Sequence, residues 1–227
     1  MAKKKKSPKI PAKFVELAII LGIAIASFFL WDTFVIYPIK LFVVMWHEIS
    51  HGLAAIFTGG RVHAIEFSLQ LGGKCLTEDG IPFIVASSGY LGSLLIGASL
   101  FITSYDAKAS KWTCTGLAIL LLLLAANFVT SLFGGVVTIL FAALLIVSPR
   151  FFPLKVHNYL WRSLGLVSVL YVIIDIKQDI LVNTYIRNDA HMIAQVTGIS
   201  ATIWGVLWFI TALVVAVGLV VYSYKKS

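Results

Sequence analysis

The sequence predicts an all-α polytopic membrane protein with about six to seven transmembrane helices and a short interfacial β-hairpin after the second of them. Three observations predict this class: 59% of the residues are hydrophobic, only 12% are charged, and the mean hydropathy is +0.96. Soluble domains carry about 25% charged residues, so this chain has too little polar surface to cover a water-soluble globule. A disordered chain is also excluded, because disordered chains are poor in hydrophobic residues.

Apolar stretches of about the length needed to cross a bilayer recur along the chain. Residues 113–148 are almost uninterrupted apolar sequence, which is too long for one crossing at about 1.5 Å per residue of helix. We expect a break near residues 131–135, where Gly134 and Gly135 permit a tight reversal. The candidate spans are then residues 14–31, 34–57, 82–104, 113–130, 132–148, 158–176 and 200–222.

Positive charge is concentrated at the two ends of the chain. The net charge is +8, with lysine clusters at residues 3–6 and 225–226. No nucleic-acid partner is expected, because nucleic-acid-binding proteins spread basic residues over a folded face. Basic tails beside apolar spans are typical of the anionic cytoplasmic side of a membrane, so we expect a multi-pass protein with a cytoplasmic N-terminus. A bacterial inner membrane is the expected location, and an organellar membrane is the alternative.

The predicted organisation is simple. Residues 1–13 form a basic cytoplasmic tail, residues 14–223 form a single transmembrane domain, and residues 224–227 form a basic C-terminal tail. Between the second and third spans, residues 62–71 partly alternate between apolar and polar side chains, which predicts a β-hairpin at the membrane interface.

The second span contains the pattern HExxH at residues 47–51. On a helix, His47 and His51 leave the same face one turn apart, so both imidazoles can bind one tetrahedral zinc ion. Glu48 lies beside them, where a carboxylate can take the proton from a zinc-bound water. Three ionisable groups in one turn of an apolar helix are costly and are usually functional, which favours a metal site over two solvated interfacial histidines.

A catalytic zinc ion takes three protein ligands and keeps one position open, so a third ligand is expected. Asp175 and Asp179 are four residues apart, and Asp175 directly follows a long apolar run. With seven spans, Asp175 falls at the same depth as the HExxH pattern, whereas the distribution of basic residues favours six spans. We predict Asp175 as the third ligand because metal coordination is the stricter demand.

Two further aspartates are alternative or outer-shell acids: Asp179, and Asp189 in the stretch Asn188-Asp189-Ala190-His191. For Asp189 the preferred interpretation is a helix start, because Asn188 is a favourable N-cap and an aspartate in the first turn suits the helix dipole.

These residues resemble the site-2 protease family of intramembrane zinc metalloproteases, in its compact branch without a PDZ domain. Residues 47–51 are similar to the family's zinc helix. Other segments resemble the family's β segment, the start of its next span and its C-terminal pattern: residues 58–62 with 66–68, residues 88–92, and residues 175–179, 188–190 and 204–205. The chain has no Leu-Asp-Gly motif, which carries the ligand aspartate in the better-known branch, so Asp175 is assigned by its role and depth.

The resemblance implies an endopeptidase with one Zn²⁺ per chain that hydrolyses membrane-embedded or juxtamembrane segments of membrane protein substrates. His47, His51 and Asp175 would bind the metal, Glu48 would be the general base, and the hairpin would pair with an extended substrate strand. An inactive membrane scaffold or binding protein is the alternative, because of the missing motif. A metal transporter ranks last, since it would need polar ligands along several spans, and Asn127 is nearly the only such residue elsewhere.

Overall fold

The computed structural model describes residues 11–177 and 188–226, which form eight helices and one two-stranded sheet. The helices are α1 (Ala12–Phe29), α2 (Tyr37–Phe57), α3 (Pro82–Thr103), α4 (Ala107–Phe128), α5 (Leu132–Phe151), α6 (Leu154–Lys177), α7 (Asp189–Thr197) and α8 (Ala201–Lys226). The strands are β1 (Arg61–Phe67) and β2 (Gly73–Glu78).

Six of these helices, α2 to α6 and α8, are long and apolar enough to cross a membrane. The first helix, α1, has 18 residues, covers most of the first predicted span and packs against α6 and α8. The predicted fold class, a polytopic helical membrane protein with a small β-hairpin, is therefore confirmed.

The long apolar stretch is divided near the predicted position. Helix α4 ends at Phe128 and α5 begins at Leu132. Ser131 is the N-cap of α5, and its hydroxyl accepts a hydrogen bond from the Gly134 N–H at 3.1 Å. The two glycines thus lie in the first turn of α5, and the reversal itself falls just before them.

Helix α3 is at the centre of the bundle, between α2 and α6. Gly97 of α3 and Gly165 of α6 face each other, and a Cβ atom on Gly97 would lie only 3.0 Å from the Gly165 carbonyl oxygen. Small residues of this kind let two membrane helices approach backbone to backbone. This close contact fixes α3 against α6. The N-terminal half of α3 packs closely against α2, because Gly92 lies directly against Ser50 of the HExxH segment.

The hairpin is longer than predicted. Strands β1 and β2 are antiparallel, with a register shift between Val62 and Ala64, and the turn contains Leu71 at φ 64°. The predicted range 62–71 therefore covers most of the first strand and the turn, but none of β2. On its far edge β1 contacts the α4–α5 connection, because the Thr130 N–H donates to the Ile65 carbonyl at 3.3 Å.

A buried polar cluster joins α1, α6 and the end of α3. Glu16 and Arg162 form an ion pair, and the two residues are 8% and 6% exposed. Tyr159 donates to Glu16 Oε2 at 2.9 Å, the Tyr105 hydroxyl lies 3.2 Å from Glu16 Oε1, and Arg162 Nε donates to the Ser104 hydroxyl at 3.2 Å. These five residues are called the Glu16–Arg162 cluster below.

Candidate metal centre

Two imidazoles form the first part of the candidate centre. His47 and His51 leave the same face of α2, and their ring centroids are 4.7 Å apart. Their side chains are 17% and 10% exposed, so both are withdrawn from the surroundings of the bundle. The helical spacing alone places them together, as the sequence predicts.

The carboxylate that meets the imidazoles comes from α7. Asn188 caps this helix through its side-chain oxygen, which accepts from the His191 N–H at 3.1 Å. The cap places Asp189 at the first helical position, with its Oδ2 atom 3.0 Å from His47 Nε2 and 3.2 Å from His51 Nε2. The three ligand-type atoms lie within 4.8 Å of one another.

The orientation of His51 is set by a hydrogen bond behind it. Its Nδ1 atom lies 2.7 Å from the carbonyl oxygen of Val85, which can only accept. Nδ1 therefore carries a proton, and Nε2, which faces Asp189, is the ring nitrogen available to bind a metal ion. Metal-binding histidines commonly have this arrangement, in which a backbone carbonyl fixes the tautomer of the ring.

These residues fit a metal ion. The Asp189 Oδ2 atom is buried and makes no hydrogen bond of ordinary geometry with the described residues. Burial alone would raise the pKa of the Asp189 carboxyl, but the neighbouring imidazoles hold it below its usual range. Two imidazole nitrogens and one carboxylate oxygen, with one position left open, are the ligand set of a catalytic zinc site.

Space for the ion is kept by a glycine of α3. A Cβ atom on Gly89 would lie 2.5 Å from Nε2 of both His47 and His51, closer than real Cβ contacts. The position at which the two nitrogens converge is therefore free because residue 89 has no side chain.

A cavity of about 600 Å³ opens beside the cluster. The HExxH residues and Asp189 line one part of it, and residues of the β2 side, among them Gly73 and Cys75, line another. Glu48 is 8% exposed, and its side chain lies against Gly73 of β2. The cavity therefore brings the Glu48 carboxylate, the candidate metal ligands and residues of β2 to one shared space.

A family model described as Peptidase M50B-like matches residues 20–219. This range includes His47, Glu48, His51 and Asp189. The chain belongs to this family. Comparison with curated proteins gave no match, and neither did comparison with solved structures. The M50 peptidases are zinc metalloproteases of the site-2 protease type, so the resemblance visible in the sequence is confirmed. The M50B-like chain is a multi-pass membrane protein of a metallopeptidase family.

The M50B-like chain brings together most of the residues singled out in its sequence. His47, Glu48 and His51 lie together, and Asp189, considered there only as an alternative or outer-shell acid, faces both imidazoles. Asp175, predicted as the third ligand, is outside this cluster and lines the same cavity from the end of α6. Asp179 falls outside the described residues.

Sequence reasoning missed the two glycines that make room in the M50B-like site. Hydropathy alone does not distinguish Gly89 from the other glycines of apolar spans, and Gly73 stands in a polar segment with several others. The signal available for Gly89 is its place in the stretch Ser-Gly-Tyr-Leu-Gly near the start of the span that follows the zinc helix. The remaining histidines outside the cluster bond elsewhere, such as His63 to Glu78 at 3.0 Å.

Proposed function

We propose that this protein is an intramembrane zinc endopeptidase that hydrolyses peptide bonds in membrane-embedded or juxtamembrane segments of other membrane proteins. The observation that carries the proposal is the convergence of His47 Nε2, His51 Nε2 and Asp189 Oδ2, with Glu48 beside them. Membership of a metallopeptidase family supports the same reaction.

His47, His51 and Asp189 would hold one Zn²⁺ ion per chain. When bound, the ion supplies a water of lowered pKa and polarises the scissile carbonyl group. Asp175 then contributes a second carboxylate to the cavity wall rather than a ligand. Asp175 and Asp189 belong to different helices, α6 and α7, so each can be substituted without changing the other.

Glu48 would be the general base. Its carboxylate is next to the ligands and inside the cavity, so it can take a proton from the attacking water. Once protonated, the same group can act as a general acid and give that proton to the leaving amine. The low exposure of Glu48 excludes bulk water from this transfer.

Strand β2 would align the substrate. A peptide bond inside a helix already has its carbonyl hydrogen-bonded, so the substrate must be extended before cleavage. Strand β2 lines the cavity, and an extended segment can pair with a sheet edge through its main chain. The partner is accordingly a membrane protein with a helix that unwinds easily.

For the orientation, we propose from the basic residues that the N-terminus is cytoplasmic. The proposed location is a bacterial inner membrane.

Zinc content tests the ligand set directly. The full chain is purified in detergent, and zinc is measured by mass spectrometry for wild type, Asp189→Asn and Asp175→Asn. We expect about one zinc ion per chain for wild type and Asp175→Asn, and almost none for Asp189→Asn. The opposite pattern would make Asp175 the ligand and would refute the centre proposed here.

Cleavage tests the reaction. Wild type and Glu48→Gln are reconstituted into vesicles with a set of single-span model proteins whose helices contain Gly-Pro interruptions, and new termini are identified by mass spectrometry. Wild type should cleave, and Glu48→Gln should bind zinc without cleaving. Zinc-loaded wild type that produces no new terminus would favour the alternative, a non-catalytic membrane scaffold.

A further inference from the structure

We propose that Gly73 of β2 is a positioning residue for Glu48: the absence of a side chain at residue 73 leaves the space in which the carboxylate lies beside the metal ligands. This inference rests on the proposed function, because it assigns the position of the proposed general base. It concerns a strand residue that is neither a metal ligand nor a group that touches the reacting atoms.

The first observation is that Glu48 lies beside the strand. Its side chain is buried, and Glu48 lines the cavity together with Gly73 and Cys75 of β2. Helix α2 packs closely against β2 here, because a Cβ atom on Gly52 would lie 3.6 Å from Cys75 Sγ.

The second observation is steric. A Cβ atom on Gly73 would lie 2.5 Å from Glu48 Cγ, 2.6 Å from its Oε1 and 2.9 Å from its Cδ. Real Cβ atoms essentially never come within 3.0 Å of a neighbouring heavy atom. The present position of the Glu48 side chain is therefore compatible only with glycine at residue 73.

The third observation separates this requirement from backbone strain. Gly73 lies in a β-strand and is not among the residues with positive φ, so its backbone suits any amino acid. The atoms in conflict belong to the flexible part of one side chain. A methyl group at residue 73 should therefore leave the fold intact and push the Glu48 carboxylate away.

A neighbouring glycine provides a matched control. A Cβ atom on Gly72 would contact only the Ser68 hydroxyl, at 3.0 Å, and would not reach Glu48. Gly72 also has no positive φ. Gly72→Ala and Gly73→Ala thus make the same chemical change one residue apart, and only the second meets Glu48.

The experiment uses the full chain in detergent or vesicles, as wild type, Gly73→Ala and Gly72→Ala. We expect both variants to bind about one zinc ion and to keep the wild-type Tm. For Gly73→Ala, kcat should fall by about 100-fold with little change in KM, because a displacement of about 1 Å in a catalytic group has an effect of this size. For Gly72→Ala, kcat should stay close to wild type.

Shortening the displaced side chain should relieve the conflict. In a Glu48→Asp background the carboxylate is one methylene shorter, so Gly73→Ala should lower kcat less than it does in wild type. A merely structural role of Gly73 would give the same loss in both backgrounds.

A binding readout keeps this inference separate from proteolysis. Acetohydroxamic acid binds zinc through two oxygens and needs a nearby carboxylate to accept its proton. Calorimetry measures the affinity of this probe for the zinc-loaded wild type and variants. Gly73→Ala should weaken binding by about tenfold, a change of about 1.4 kcal/mol, and Gly72→Ala should not. If wild type binds zinc and the hydroxamate but cleaves nothing, the endopeptidase proposal fails while this comparison still stands.

Three results would overturn the inference. They are wild-type kcat and hydroxamate affinity in Gly73→Ala, an equal loss in Gly72→Ala, and loss of zinc from Gly73→Ala.

Discussion

Two regions of this bundle bury charged groups among apolar helices, and they differ in how those groups are satisfied. In the Glu16–Arg162 cluster, the carboxylate and the guanidinium pair with each other and bond to tyrosine and serine hydroxyls. In the candidate metal centre, Asp189 Oδ2 faces two imidazole nitrogens and makes no ordinary hydrogen bond with the described residues. Buried charge alone therefore does not identify a functional site, whereas a buried carboxylate oxygen that converges with two imidazole nitrogens fits a metal ion.

The two regions are also far apart. On α6, Arg162 precedes Asp175 by about 20 Å, at about 1.5 Å per residue. The Glu16–Arg162 cluster joins α1 and α6 to the end of α3, where it stabilises the packing of helices. The metal centre lies at the other end of α6 and is built from α2, α3 and α7. Substitutions in one region should therefore leave the other intact.

The largest expected effect is at Gly89. Gly89→Ala places a methyl group 2.5 Å from both ligand nitrogens, so zinc content should fall from about one ion per chain to almost none. The control is Gly116→Ala, since a Cβ atom there meets nothing within 4 Å. Metal analysis of the purified chains checks both, and full zinc in Gly89→Ala would contradict the centre described above.

The next effect is on stability alone. Arg162→Met leaves Glu16 buried without its partner, which should lower the free energy of unfolding by about 3–5 kcal/mol. The double variant Glu16→Gln with Arg162→Met should be more stable than the single one, because no unpaired charge remains. Unfolding in mixed micelles gives the energies, and zinc content should be unchanged. Zinc loss in these variants would show that the two regions are coupled.

A smaller effect connects the N-cap to the metal. Asn188→Ala removes the cap that places Asp189, at a cost of about 1 kcal/mol to α7. Zinc affinity, measured by competition with a chelator, should fall by roughly fivefold. Asn188→Asp, which keeps a capping oxygen, should retain more of the affinity. Equal affinity in Asn188→Ala and wild type would mean that packing alone positions α7.

The smallest effect concerns the thiol of β2. Burial, and then the nearby Glu48 carboxylate, raise the pKa of Cys75 to about 12. Because the thiolate is the reactive form, alkylation by iodoacetamide at pH 8 should be slow and should accelerate as the pH rises toward 12. Glu48→Gln removes the smaller cause and should increase the rate modestly. A rate typical of a free cysteine would contradict the packing of Cys75 beside Glu48.

The local parts of the fold and site could be predicted from the sequence. The spacing of His47 and His51 gives a shared helix face whatever surrounds them. The length of the apolar stretch 113–148 predicts a break near residues 131–135, because one crossing cannot hold so many residues. The sequence predicts only part of the hairpin. Strand β2 is mostly exposed, so its side chains do not alternate between apolar and polar, and its pairing depends on β1.

The third ligand depends on contacts that the sequence does not encode locally. Asp175 is the first choice from the sequence because it directly follows a long apolar run, which indicates a deep position in the membrane. Asp189 reaches the imidazoles because α7 is a separate nine-residue helix that packs against α3 and α8. Asn188 predicts the cap of this helix correctly, but capping and metal binding are not exclusive. Asp189 is the first residue of the helix, and its carboxylate faces the histidines.

The contact between β1 and the α4–α5 connection has a consequence for how a peptide would bind. On one side of β1, the Thr130 N–H donates a hydrogen bond to the Ile65 carbonyl. Within the described residues, an added strand can therefore pair with the sheet only beside β2. Successive residues of an added strand advance by about 3.3 Å and point to alternate sides. Sequence preferences around the cleaved bond should therefore recur at every second position rather than form one continuous motif.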